Sequence, residues 1–230
     1  RITRADLFKY VESELIATVE DMKAPKTNDY GRADQAAAYS VLARLYLNAK
    51  VYTGTERNND CITYCNKIIN AGYSLKPNYS SLFLADNNLN NPEQILSVNY
   101  DGLRTQTYGG STFMVHASIG GSMPAKEFGV NGGWGGLRTT RAFVDQFPAS
   151  GNDRRGQFYT SGQTKEINDL SSFNDGYAFI KYRNVTSGGV AGSDASGNFV
   201  DADIPLYRLG DIYLMYAEAT LRGGNGNPAS

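Results

Sequence analysis

The sequence predicts a mainly α fold: a tetratricopeptide-like helical scaffold with long ordered loops, few short strands and a loop-rich ligand-binding face. Three observations predict it. Apolar residues recur at helical spacing near both ends of the chain, within 3–22, 32–72 and 210–222. The second of these regions is a hairpin whose first helix is rich in alanine, and small residues let two antiparallel helices approach closely. Residues 101–136, by contrast, hold many glycines and aromatics but no long periodic run.

In chain order, the first helix spans 3–22, with Thr3 as its cap and Phe8, Val11, Leu15, Val19 and Met22 on one face. KAPKTNDYG is a loop. A helix from about Arg32 to Val51 follows, and then a third that starts at Asn58–Asn59. The third carries Cys61, Ile62, Cys65, Ile68 and Ile69 on one side and stops at Gly72. One hairpin cannot bury its own face, so the first and last helices are its expected partners. Cys61 and Cys65 share that face, but helix geometry holds such a pair too far apart for an unstrained disulfide; both read as small buried hydrophobes.

From Pro77 the character changes. NYSSLFLADNNLNNPEQ is turn-prone and ILSVNY (95–100) reads as a short strand. A structureless stretch as long as 101–136 inside a compact domain is usually functional or disordered, and its apolar content favours an ordered, functional one. In NGGWGGLRTTRAFVDQF (131–147), Thr139 or Thr140 caps a short helix with Phe143, Val144 and Phe147 that pins the preceding loop to a core. RRGQFYT and GYAFIKYR are strand candidates, SGGVAGSDASGN an exposed loop. The final helix carries Ile212, Met215, Tyr216 and Ala219 and ends at Gly223. The expected organisation is one domain, helical over 1–76, loop-rich over 77–203 and helical again over 204–230.

Composition narrows the function. With 41% hydrophobic and 20% charged residues the chain is an ordinary globular one, and a net charge of −1 argues against a basic nucleic-acid surface. No run of about 18 apolar residues exists to span a membrane. The opening RITRADLF and the closing GGNGNPAS both read as interior stretches of something longer.

Candidate chemistry is sparse. The one histidine, His116, lies in an apolar run and reads as a structural side chain. No nucleophile elbow, phosphate loop or zinc set is present. Asp86 and Asn88, in an Asn-rich turn, are weak calcium candidates. What remains is a binding surface. A pyranose packs its C–H face on an aromatic ring while its hydroxyls take hydrogen bonds from nearby amides and hydroxyls. Trp134, the only tryptophan, and Tyr108 both sit beside glycines and make two such platforms; Gln106, Thr112 and Asn131 are the polar candidates. Two readings of Trp134 stand at this point, a ring presented to solvent or a plug folded back on the core.

GRADQAAAYSVLARLYLNAKVYTG, NYSSLFLADN, TYGGSTFMV and DADIPLYRLGDIYLMYAEA resemble, in order, the SusD/RagB family of outer-membrane glycan-binding lipoproteins, most closely its starch-binding member. The resemblance runs from residue 3 to about 222 and covers only the middle of a family member, without the lipid-anchored N-terminal part and the C-terminal helices. It implies no catalysis; no cofactor is expected, calcium at the weak Asp86–Asn88 site apart. It implies a cell-surface protein that binds α-glucan (starch or malto-oligosaccharide) and caps a SusC-like TonB-dependent porin. It also implies that Tyr108 and Trp134 belong to an arc of aromatic rings. Asn88 stands where the starch-binding member has an acid, which argues against an inherited calcium site. A peptide-binding tetratricopeptide-like module and a glycoside hydrolase are the competing readings; the latter requires two carboxylates in one cleft.

Overall fold

The computed structural model describes residues 1–227; the last three residues of the GGNGNPAS stretch lie outside the described residues. The helices are α1 (Arg4–Val19), α2 (Gln35–Leu47), α3 (Ala49–Thr53), α4 (Asn58–Ile69), α5 (Gly110–Ala117), α6 (Arg141–Val144) and α7 (Leu209–Leu221). The strands are β1 (Gln94–Val98), β2 (Arg138–Thr139), β3 (Phe158–Tyr159), β4 (Tyr177–Phe179) and β5 (Ile204–Arg208). None of the described helices is long and apolar enough to cross a membrane. The chain forms two compact units, one of residues 1–75, 92–98 and 205–230, the other of 76–91 and 99–204.

The first unit is the helical one. The Thr3 hydroxyl accepts from Asp6 N to start α1, and the Asp34 carboxylate accepts from Ala37 N to start α2, each satisfying a backbone N–H that the first turn leaves without a partner. Helix α2 packs on α4, α4 on α7, and α1 on α2. Their shared core holds Ala36, Leu42, Ala43, Cys61, Cys65, Ile68, Leu209, Ile212 and Ala219. The single helix expected to Val51 is two: Asn48 leaves helical geometry at ψ 7° and its side-chain amide donates back to Arg44 O at 2.9 Å, so α2 ends and α3 begins. The cysteine sulfurs are 4.0 Å apart and unbonded, and the contact with Cys61, together with burial, pushes the Cys65 thiol up. Strands β1 and β5 pair into a two-stranded sheet.

The alanines of α2 give a direct test of this packing. Ala43 is wholly buried, and a larger side chain there drives the helices apart. Ala43→Phe is expected to destabilise the protein by roughly 1–3 kcal/mol in chemical unfolding. Lys50→Gln, at an exposed ion pair with Glu56, is expected to change stability by no more than about 1 kcal/mol.

The second unit contains little regular structure. Its three-stranded antiparallel sheet has the order β2-β4-β3, with Arg138 opposite Ala178 and Phe158 opposite Phe179. Around it cluster Leu82, Phe83, Val115, Ile119, Phe128, Val130, Ile180, Tyr182, Val200 and Ala202. With strands of two or three residues, side-chain amides do much of the backbone pairing. Buried Asn87 donates to Leu82 O and Asp203 O and accepts from Asp203 N, all at 2.9 Å. Buried Asn184 donates to Gly129 O at 3.0 Å and Phe199 O at 3.3 Å and accepts from Asp201 N at 3.0 Å.

Residues 101–136 are not structureless. They contain α5 and a 3-10 turn over Ala125–Phe128. Helix α5 is two turns long and nearly all small or apolar, so it lacks the polar face that makes a helical period visible in sequence.

Candidate functional site

The C-terminal turn of α5 organises the surface. A helix end leaves carbonyl oxygens without helical partners, and here the tryptophan loop supplies N–H groups to that turn and the residue just past it. Trp134 N donates to His116 O (2.8 Å), Gly135 N to Ile119 O (2.8 Å), and Gly136 N (2.8 Å) and Leu137 N (2.6 Å) to Ala117 O. The approach is close enough that a Cβ on Gly133 would lie 2.1 Å from Ile119 O, and Gly135 takes a left-handed φ of 61°. The loop is therefore pinned by α5. Helix α6 was expected to pin it but is a single turn, capped by the Thr140 hydroxyl.

Trp134 is 45% exposed. One face lies on the His116 ring, with centroids 4.8 Å apart and planes 16° off parallel. Tyr108, 65% exposed, stands beside it at 6.2 Å with the ring planes inclined by 56°. Phe113 flanks Trp134 at 6.1 Å, and Phe199 backs Tyr108 at 5.3 Å. The indole is thus both supported and presented, which joins the two readings of Trp134.

His116 is only 2% exposed. Its Nδ1 lies 2.8 Å from Gly132 O and its Nε2 lies 3.0 Å from Asn198 O, so the ring bridges the tryptophan loop and the 191–199 loop. Asn131 bridges the same two segments, donating from Nδ2 to Ser196 O at 2.9 Å and to Asn198 Oδ1 at 2.6 Å. The 191–199 loop turns around the Asp194 carboxylate. Burial works against that charge, but the Ser196 hydroxyl and the N–H groups of Phe199, Ser196 and Asn198 outweigh it and hold the carboxyl below its usual range. A lowered value means the turn's contribution is present above the ordinary carboxylate range and is lost only as pH falls through the lowered value. A cleft of about 360 Å³ opens beside it, lined by Lys126, Asn131, Asp194 and Ser196 among others.

The other polar candidates are placed differently. Gln106 is exposed, its amide donating to Gly102 O at 3.3 Å. Thr112 does not reach the surface: it is 1% exposed and its hydroxyl accepts from Val200 N at 3.2 Å. On α5 it faces inward while Phe113, one residue on, faces out. The Asp86 carboxylate is taken up by Ser187, accepting from its N at 2.9 Å and its Oγ at 2.6 Å, while Asn88 is exposed. Among the described residues no group of three or more His, Cys, Asp or Glu is placed to hold a metal ion. Sequence reasoning passed over Phe113, Phe199 and Asn198. The available signal for the last two was an Asn-aromatic pair closing an Asp-Ala-Ser-Gly turn.

Comparison with known proteins gives consistent matches. The SusD family model matches residues 150–230. The starch-binding protein SusD of Bacteroides thetaiotaomicron is 34% identical over 267 residues, covering 95% of this chain and 48% of that protein. A SusD-like protein of Bacteroides ovatus is 28% identical, covering 98% of this chain and 42% of its own length. The chain spans about half the length of the curated relatives it matches. Among solved structures, surface glycan-binding protein A from Bacteroides thetaiotaomicron in complex with laminarihexaose has a TM-score of 0.72 at 18% identity, over 97% of this chain and 51% of that one. A SusD superfamily protein from Parabacteroides distasonis has a TM-score of 0.66 at 22% identity, over 91% and 44%. At such identities the structural likeness speaks for the fold alone, but the relative at 34% matches nearly the whole chain, and the chain belongs to the SusD family.

Proposed function

We propose that the protein binds a curved glucan, an α-glucan of the starch or malto-oligosaccharide type, on the surface made by Trp134 and Tyr108, and does not cleave it. The observation that carries this reading is the 56° inclination between two neighbouring exposed rings. A flat ribbon of sugars, as in a β-1,4-glucan, stacks best on coplanar platforms. Adjacent units of a helical glucan turn relative to one another and fit platforms that turn with them. Asn131 and Gln106 supply polar contacts at the rim. The starch-binding relative supports the α-linked choice. The laminarihexaose complex of a structural neighbour favours a β-1,3-glucan as second reading.

By family, the bound glycan passes to a SusC-like TonB-dependent porin, the whole protein being held at the cell surface by an N-terminal lipid anchor. Calorimetric titration with maltoheptaose, a cyclodextrin, laminarihexaose and cellohexaose tests the binding reading. Binding of the first two, with none of cellohexaose, is expected. Binding of laminarihexaose alone would replace the α-glucan by the second reading, and sustained release of reducing ends from starch would overturn the absence of catalysis.

A further inference from the structure

His116 lies beneath the proposed binding surface, and its hydrogen bonds set a condition that a neutral ring does not meet. A neutral imidazole carries one N–H donor and one lone pair. The two ring nitrogens of His116 face two backbone carbonyl oxygens, of Gly132 at 2.8 Å and Asn198 at 3.0 Å, and a carbonyl can only accept. The ring is shielded from solvent. Only a ring with an N–H on each nitrogen pairs both. A ring with one proton aims its lone pair at the other carbonyl and lets go of one loop.

Those loops carry the site. Gly132 is two residues before Trp134, and Asn198 immediately precedes Phe199, the ring behind Tyr108. The doubly protonated ring also places its positive charge flat beneath the indole. We propose that His116 is the positioning residue of the Trp134 platform, and that its second ring proton makes glycan binding strongest in the doubly protonated form. The glycan part of this inference rests on the function proposed above.

The charged groups on the packed elements are otherwise engaged. Asp194 is bonded to Ser196 and to the N–H groups of Asn198 and Phe199. Asp201 is bonded to Ser193 and Gly102 N. Arg138, at the end of the tryptophan loop, donates to Asp175 O and Leu170 O. Helix α5 carries no other ionisable side chain.

The chain has one histidine and one tryptophan, so each reports without overlap. The ring nitrogens of 15N-labelled protein are followed by NMR between pH 5.5 and 8.5, Trp134 emission is recorded on the same samples, and maltoheptaose affinity is measured across the range. Loss of the second ring proton is expected to coincide with a change in Trp134 emission and with at least threefold weaker binding. In His116→Gln both pH dependences are expected to disappear. A ring whose protonation does not change across the range would overturn the proposal, as would a ring that loses its proton while emission and affinity stay flat. These wild-type measurements decide the matter even where the variant folds poorly. Absence of maltoheptaose binding at every pH would refute the glycan reading, and the NMR and emission titrations would then decide the coupling of His116 to Trp134.

Discussion

Trp134→Ala is expected to weaken glycan binding about thirtyfold or more, the roughly 2 kcal/mol that a single aromatic anchor supplies at a binding surface. The same change is expected to cost far less stability than the about 3–5 kcal/mol lost when a buried tryptophan is truncated. The reason is geometric: the indole is 45% exposed, and its one covered face rests on His116 without filling a cavity in the cluster around Val115 and Ile119. Tyr108→Ala is expected to follow the same pattern with a smaller effect, because that ring is smaller and more exposed. Calorimetric titration paired with chemical unfolding of each variant checks both halves. Unchanged affinity in both variants would remove the site from these rings. Loss of binding together with a large loss of stability would make Trp134 a structural plug.

Gly133→Ala is expected to lower stability by roughly 1–3 kcal/mol and to take glycan binding with it. The added Cβ meets the Ile119 carbonyl oxygen at 2.1 Å, and the loop must lift off the end of α5 to make room. Lifting it breaks the bonds from Trp134 N and Gly135 N that fix the indole. Gly132→Ala is the matched control one residue earlier. A Cβ there meets nothing within 4 Å, so stability is expected to stay within about 0.5 kcal/mol. If the two variants bind and unfold alike, the platform is not held by its close approach to α5.

The helical unit was legible because its signals are local. Thr3 stands one residue before the helix it caps, and Cys61, Cys65 and Ile68 repeat at a helical period; the Asp34 cap was not read, and α2 begins at Gln35, three residues later than expected. The break at Asn48 was not, since alanine and leucine on either side continue the pattern while one amide turns back on its own backbone. Trp134 and Tyr108 could be singled out because glycines beside an aromatic residue mark a ring with room around it. Phe199 and the bridging role of His116 could not, because the Asn198 contact joins residues 82 apart in sequence. Thr112 shows a different failure. Its residue type suits a sugar contact, but side chains one position apart on a helix point about 100° from one another, and without α5 in view there was no way to see that Phe113 and not Thr112 faced out.

The buried amide of Asn87 also shapes how the loop-rich unit comes together. Its bonds to Asp203 close a loop across 116 residues. Bringing chain ends together over that span costs on the order of 4 kcal/mol in the length-dependent part of the closure entropy alone, and the amide returns nothing until both ends have met. The contacts of α2 with α4 join neighbours in sequence and face no such delay. Distant closures of this kind slow folding, whereas local helix pairs form early. The α2–α4 hairpin therefore forms early, whereas the docking of α7 on α4 and the proposed glycan face, laced by long-range asparagine bonds, wait until distant segments have met.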